Sequence, residues 1–133
     1  SQYNYLNNMV RELKLDKNIY LKDFTNNIKK YFLKSDLYIM TSKWEGFGNV
    51  LVEAMSYGKK IICTTSKGGP KEILKNYKDC HIQTNSINIL SKNIILQLSK
   101  KNLRSNSYKM IKNSFNYMVD EISDKYLIFM NKV

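Results

Sequence analysis

Two short apolar runs, each followed by a loop of small residues and then by a helical pattern, constrain the fold of this chain most strongly. The runs are DLYIMTS at 36–42 and KKIICTTS at 59–66, and both have the length and composition of strands buried on two faces. Between them, GNVLVEAMSYG at 48–58 carries apolar residues around most of a helix. Strands that alternate with helices favour parallel pairing through right-handed crossovers. We therefore predict an α/β fold, a parallel sheet with helices on both faces.

The remaining segments continue the same alternation. Two further strands are predicted, which makes four in all, at 18–24 and 80–84. Gly58 is expected to end the helix at 48–58 in the left-handed conformation, and Pro70 is expected to open the next helix. The other predicted helices share apolar residues at helical spacing and cover 2–15, 26–35, 71–77, 87–100, 102–115 and 116–130.

Length and charge limit the class of protein. A chain of 133 residues is one domain's worth, and no apolar run is long enough to span a bilayer. The net charge of +11 comes from lysines scattered from Lys14 to Lys132, so a solvated basic surface is favoured over a stripe that binds phosphates. Cys63 and Cys80 lie in no metal-binding pattern and are expected to be buried thiols.

The candidate site lies in the loops that follow the predicted strands, at 24–27, 42–49, 66–69 and 84–85. In parallel sheets the ligand binds in the crevice at the carboxyl ends of the strands. Gly46 and Gly48 let backbone N–H groups approach a ligand closely, and a helix that starts near Asn49 suits phosphate. Leu51 stands where a dinucleotide fingerprint requires glycine, so a nicotinamide-dependent enzyme is disfavoured.

Two glutamates flank this glycine-rich stretch. Asn49, Glu53 and Ser56 fall at i, i+4 and i+7 and form one polar stripe that begins at the crevice. A carboxylate near a buried helix start needs a partner, and two adjacent ribose hydroxyls would supply one. Glu45 would lie farther along such a ligand, beyond its phosphates. The alternative is that Glu53 only complements the helix dipole and Glu45 is an exposed loop residue.

The stretch EGFGNVLVEA at 45–54, with seven residues between its glutamates, resembles the signature of the retaining glycosyltransferases of family 4, which have the GT-B fold. NNIKKYFLKSDLYIMTS before it and YGKKIICTTSKGGPKEIL around and after it are similar to the same family. The similarity is specific over 21–74, and the helices at 114–126 are similar to the closing helices of that family.

The resemblance implies that residues 1–133 are the nucleotide-sugar-binding C-terminal domain of such an enzyme, with a Rossmann-like sheet. It also implies that the domain is incomplete. Its first strand and helix, with an arginine and a lysine that hold the diphosphate, would precede Ser1, and so would the N-terminal acceptor domain. The fragment alone is therefore expected to be inactive.

The resemblance also implies roles for individual residues. Glu45 is the expected catalytic residue, near the donor sugar hydroxyls, and Glu53 is expected to bind the ribose. No metal and no cofactor is expected. The remaining expected donor-binding residues contact the sugar, the diphosphate or the base, and they are Gly46, Phe47, Gly48, Asn49, Val50, Leu51, Phe24, Thr25 and Lys67.

The function so implied is transfer of a sugar from a nucleotide-diphosphate donor to an acceptor hydroxyl with retention. A UDP-sugar is favoured over GDP or ADP donors, and the acceptor would be a glycan or a lipid-linked glycan. The setting would be bacterial cell-surface polysaccharide, lipid-linked glycan or glycoprotein synthesis. We expect a cytoplasmic enzyme that can associate peripherally with the inner face of the membrane and binds no nucleic acid.

Two rival functions stay open. A GT-B nucleotide-sugar epimerase would turn over donor without an acceptor. A basic module that binds nucleic acid or membrane would show salt-sensitive binding that survives removal of Glu53.

Overall fold

Three parallel strands and a series of helices form the part of the chain that the structure, a computed structural model, describes. That part comprises residues 2–64, 68–77, 79–82, 84, 86–100 and 104–130, without the side chains of 81, 104, 105, 126 and 129. In chain order the elements are α1 (Gln2–Glu12), α2 (Lys29–Lys34), β1 (Leu37–Met40), α3 (Asn49–Ser56), β2 (Lys60–Thr64), α4 (Gly69–Ile73), β3 (His81–Ile82), α5 (Ile87–Ser99), α6 (Arg104–Ser114), a 3₁₀ turn (Phe115–Tyr117) and α7 (Val119–Met130).

The sheet has the strand order β1-β2-β3, and both pairings are parallel. In β2, Ile61, Ile62 and Cys63 are at most 1% exposed. Because successive strand residues point to opposite faces, both faces of β2 are covered. This confirms the prediction of an α/β fold built on a parallel sheet, and it explains why the sequence of β2 is apolar at every position from 61 to 63 rather than alternating.

Two predictions about strands are wrong. No strand forms at 18–24, where the recorded backbone hydrogen bonds belong to the preceding turn, from the N–H groups of Asn18 and Ile19 to the Leu15 carbonyl. The alternation of apolar residues predicts an extended backbone, but a strand also needs a neighbour to pair with. In β1, only Met40 is buried and Ile39 is 36% exposed. β1 is therefore the edge of the described sheet, not a strand buried on both faces.

Helix α3 packs its apolar side into the core. Leu51, Ala54 and Met55 are fully buried, and α3 makes its most extensive helix–helix contact with α6. Gly58 has φ of 60°, which confirms the predicted left-handed end of this helix. A Cβ at Gly58 would meet the Cβ of Ser107 at 3.1 Å, so the glycine also permits the close approach of α6.

Polar side chains join the second half of the chain to the sheet. Lys60 Nζ donates to the carbonyl oxygens of Gln97, at 2.8 Å, and of Lys100, so it caps the end of α5. The buried Gln97 donates from Nε2 to the Asp79 carbonyl at 3.2 Å. These bonds place the start of β2 against α5, at the amino-terminal edge of the sheet.

The predicted helices form, although the bounds of several differ from the prediction. Helix α4 contains Pro70 in its first turn, as expected, but ends at Ile73. Helix α1 buries none of its residues, and Tyr5 is 64% exposed. Helical periodicity predicts that a helix has an apolar face, but it does not identify the surface that this apolar face would contact. Cys63 and Cys80 are buried, as predicted.

Candidate functional site

The loop after β1 and the loop after β2 are joined directly. The N–H of Gly69 donates to the carbonyl oxygen of Gly46 at 2.7 Å. Residues 45–48 and 68–70 therefore form one unit, the two-loop clamp, at the carboxyl-terminal edge of the sheet. This is the edge at which parallel sheets bind ligands.

Glycine is required on one side of the two-loop clamp because the two backbones nearly touch. A Cβ at Gly68 would fall on the carbonyl oxygen of Glu45, and a Cβ at Gly69 would fall on the backbone of Phe47. Gly68 also has φ of 109°, which L side chains rarely adopt. The Gly-Gly-Pro sequence thus holds the loop of Glu45 in position through main-chain contacts, without a side chain between them.

Helix α3 begins at the two-loop clamp. Gly48 precedes it with φ of 90°, and no side chain caps the helix start in the described residues. A Cβ at Gly48 would meet Pro70 Cγ at 3.3 Å, so the helix start lies against the second loop. Asn49 and Val50 are exposed. The first N–H groups of an uncapped helix carry a partial positive charge and accept an anion readily.

The two glutamates differ in burial. Glu45 is half-buried, whereas Glu53 is exposed, together with Asn49 and Ser56. The polar stripe on α3 therefore has the predicted geometry. The expectation that Glu53 lies at a buried position and needs a partner for that reason is wrong, because its carboxylate is solvated.

Both carboxylates influence the same phenol. Burial, together with the charges of Cys63, Glu45 and Glu53, raises the pKa of Tyr38 to about 12. Like charges disfavour ionisation of a nearby group only at short range. Glu45 and Glu53 thus both act electrostatically on Tyr38, although eight positions separate them in sequence.

Phe24 and Thr25, which were predicted to border the base, lie in a stretch that forms no strand. Phe24 is 92% exposed, and the hydroxyl of the half-buried Thr25 accepts from the N–H of Asn27 at 3.1 Å. Because no strand forms at 18–24, the argument that put both residues at the end of a strand is lost. Lys67 lies outside the described residues.

Two aromatic side chains beside the two-loop clamp, Tyr117 and Trp44, were not part of the sequence prediction. Phe47 makes an edge-to-face contact with Tyr117 at 5.6 Å between ring centroids. Burial and the charge of Glu72 raise the pKa of Tyr117. Trp44, immediately before Glu45, is 71% exposed. Trp44 is the single tryptophan of the sequence and directly precedes the motif, so the sequence alone could have singled it out. The contact of Phe47 with Tyr117 could not be predicted, because 70 residues separate the two in sequence.

A cavity lies at the edge of the sheet opposite to the candidate site. This cavity, of about 650 Å³, opens at the amino-terminal edge of the sheet, lined in part by Lys59, Lys60, Tyr77 and Cys80 and by none of the predicted site residues. Among the described residues, no group of three or more His, Cys, Asp or Glu side chains could hold a metal ion. No helix in the described ranges has the length and apolar character to cross a membrane.

Comparison with known proteins identifies the family. The sequence model of the family described as "Glycosyl transferases group 1" matches residues 1–114, which include α1 to α6 and the two-loop clamp. The chain belongs to this glycosyltransferase family. The resemblance drawn from EGFGNVLVEA is thereby confirmed at the level of the family.

Individual relatives share limited identity. A poly(ribitol-phosphate) alpha-N-acetylglucosaminyltransferase of Staphylococcus aureus is 24% identical over 92% of this chain. A UDP-Gal:alpha-D-GlcNAc-diphosphoundecaprenol alpha-1,3-galactosyltransferase of Escherichia coli is 27% identical over 95% of it. An N-acetylgalactosaminyltransferase of Campylobacter jejuni, whose name specifies a diphospho-undecaprenol acceptor, is 35% identical over 49% of it. The chain spans 26%, 33% and 18% of the lengths of these three relatives.

Proposed function

We propose that this chain is the donor-binding domain of a retaining glycosyltransferase of the GT-B type, and that the two-loop clamp with the start of α3 holds a nucleotide-diphosphate sugar. The observation that carries the proposal is the hydrogen bond from Gly69 to Gly46. It fixes a glycine-rich loop directly beside an uncapped helix start, at the sheet edge where ligands bind. Family membership supports the proposal independently.

The proposed ligand extends along α3 from the helix start. The diphosphate lies at the N–H groups of Asn49 and Val50, and the exposed Glu53 accepts from the two ribose hydroxyls. The sugar lies over Gly46 and Gly48, with the half-buried Glu45 at its hydroxyls. Phe24, Thr25 and Lys67 remain proposed contacts to the base and the diphosphate.

The chemistry proposed for this site is electrostatic. Breaking the bond between the anomeric carbon and the diphosphate builds negative charge on the leaving phosphate. N–H groups that already point at this phosphate stabilise the charge without reorganising, which lowers the barrier. Transfer to the acceptor hydroxyl proceeds with retention. The proposal places no step on a metal or cofactor.

The names of the relatives support the choice of donor and acceptor. The Escherichia coli relative uses UDP-Gal and a lipid-linked diphosphoundecaprenol acceptor, and the name of the Campylobacter jejuni relative specifies the same lipid. We therefore extend the proposal to a UDP-sugar donor and a lipid-linked or glycan acceptor in bacterial surface-glycan synthesis. The whole enzyme would act in the cytoplasm, at the inner face of the membrane.

Ligand-observed NMR tests this proposal on the chain as it stands. UDP, GDP and ADP are added separately to the wild type, to Glu53→Ala and to Glu12→Ala. Glu12 is an exposed glutamate on α1, so its removal changes the net charge equally. We expect the affinity for UDP to fall at least tenfold in Glu53→Ala, because a charge-assisted pair of hydrogen bonds is lost. The affinity should be unchanged in Glu12→Ala. Equal weakening in both variants would reject the ribose contact.

The rival functions give different results in related assays. A basic binding module would bind RNA or anionic vesicles with strong salt dependence, and Glu53→Ala would not weaken that binding. An epimerase would convert one UDP-sugar into another without acceptor.

A further inference from the structure

Trp44 is the exposed aromatic side chain closest in sequence to Glu45, and nothing assigned so far uses it. Its backbone is held in a single β-type bridge, whereas 71% of its surface is exposed. Aromatic side chains commonly line ligand sites. Indole is well suited to this role because it gives a large contact area at a small cost in side-chain entropy.

The ring lies beside the position proposed for the sugar. Its Cη2 atom is 4.0 Å from the point that a Cβ on Gly46 would occupy. The absence of a side chain at Gly46 therefore leaves an open space next to the indole. The half-buried Glu45 lies between these two residues in sequence, so a carboxylate and an apolar ring are presented by one short loop.

This pair of groups matches the surface of a sugar. A pyranose ring has C–H groups on its flat faces and hydroxyl groups around its edge. The C–H groups pack on the electron-rich face of an indole, and a carboxylate accepts from the hydroxyls. A phosphate does not fit this pair of groups, because a carboxylate repels it.

We infer that Trp44 is a specificity-determining residue that stacks on a pyranose ring at the two-loop clamp. The inference rests on the proposed function, since it assigns the sugar to the site already described. The pyranose can belong to the donor or to the acceptor, because both bring a sugar to this loop. Trp44 then determines sugar affinity and leaves nucleotide affinity unchanged.

The single tryptophan makes the inference directly measurable. Indole emission shifts to shorter wavelength when the ring loses water, and no other tryptophan contributes. We expect UDP-N-acetylglucosamine or UDP-galactose to shift the emission of the wild type, and UDP to leave it nearly unchanged. A shift with methyl N-acetylglucosaminide alone would assign the ring to the acceptor sugar, and a shift only with the UDP-sugars would assign it to the donor sugar.

Substitution adds a second readout. Trp44→Leu should weaken UDP-sugar binding about three- to tenfold in competition NMR, and UDP binding should be unaffected. Tyr108→Leu, which removes a 66% exposed ring from α6, is the matched control and should change neither. If bound UDP-sugar and glycoside both leave the emission unchanged, or if Trp44→Leu weakens UDP and UDP-sugar equally, the inference is overturned. If UDP itself fails to bind the wild type, the donor site is rejected, and Trp44 with it.

Discussion

At the scale of single residues, three glycines hold the candidate site together because a side chain would not fit. Gly68 and Gly69 lie where the main chains of the two loops meet, and Gly48 makes the left-handed turn into α3. Gly46 differs from them, since the space beside it is bounded only by the far end of the Trp44 indole. The four glycines therefore differ in how well they tolerate an added side chain, and substitution can measure this difference.

We predict that Gly69→Ala destabilises the fold and that Gly46→Ala does not. The added methyl at 69 would overlap the Phe47 main chain and break the bond to Gly46, at a cost of about 2 kcal/mol in the free energy of unfolding. At 46 the methyl has room, and the change should stay below about 0.5 kcal/mol. Urea denaturation measures both. Equal stability of the two variants would mean that the loops are not in contact in solution.

Titration of Tyr38 makes the stability of the fold depend on pH. Its ordinary pKa is 10.0, and burial, together with the charges of Cys63, Glu45 and Glu53, raises the pKa to about 12 in the folded chain. Between these values the unfolded chain has lost the proton and the folded chain keeps it. Stability present below pH 10 is therefore lost as the pH rises towards 12. Cys80, whose pKa burial raises from 9.0 to about 11, acts in the same direction.

We therefore expect Tyr38→Phe to reduce the loss of stability between pH 10 and pH 12, because the titrating hydroxyl is removed. Circular dichroism during alkaline titration measures this. Tyr108→Phe, which alters an exposed tyrosine on α6, is the control. An identical alkaline transition in wild type and Tyr38→Phe would show that this phenol is not buried as described.

At the scale of elements, α3 connects the site to the core. Its first residues belong to the site, its buried residues Leu51, Ala54 and Met55 pack in the core, and its end at Gly58 lies against α6. A shift of α6 would therefore move the start of α3 and its N–H groups. The contact between α3 and α6 thus helps to position the candidate site.

Gly58 allows a test of this contact. Gly58→Ala should lower the free energy of unfolding by about 1–3 kcal/mol, since it combines a strained positive φ with a methyl pressed on Ser107 and Ile111. Asparagine tolerates a positive φ but is larger. If crowding against α6 dominates, Gly58→Asn is at least as destabilising as Gly58→Ala in thermal denaturation. Wild-type stability of Gly58→Asn would show that only φ matters there.

The elements also show what the sequence can and cannot specify. The strand β2 and helix α3 were predictable because each carries its own signal: an unbroken apolar run in one, and helical periodicity ended by Gly58 in the other. The segment at 18–24 carries the alternation of a strand, but pairing depends on a neighbour that local sequence does not encode. The exposure of β1 has the same cause, because burial of an edge is decided by what lies beside it.

The candidate site also combines features that the sequence predicts with features that it does not predict. The glycines, the helix start and the stripe of Asn49 and Glu53 follow from residue type and spacing, so they could be placed in advance. The bond between Gly69 and Gly46 could not, because it joins loops from two different strands. The exposure of Glu53 was also unpredictable, since it depends on how closely neighbouring elements cover α3.

At the scale of the whole molecule, the two edges of the sheet have different character. The carboxyl-terminal edge carries the two-loop clamp and both glutamates, whereas the amino-terminal edge carries the cavity of about 650 Å³ with several lysines. With a net charge of +11, an anionic nucleotide is attracted to the molecule as a whole. General attraction cannot choose between the edges, so the location of bound UDP distinguishes a specific site from a basic surface.

The most direct test is therefore a map of backbone amide shifts on titration with UDP. We predict that the largest changes fall on the amides of 46–51 and 68–69, the two-loop clamp and the start of α3, and that Lys59, Lys60 and Tyr77 at the opposite edge stay unchanged. Shifts concentrated at the lysine-lined cavity, with the two-loop clamp unaffected, would contradict the account and move the nucleotide site to the other edge of the sheet.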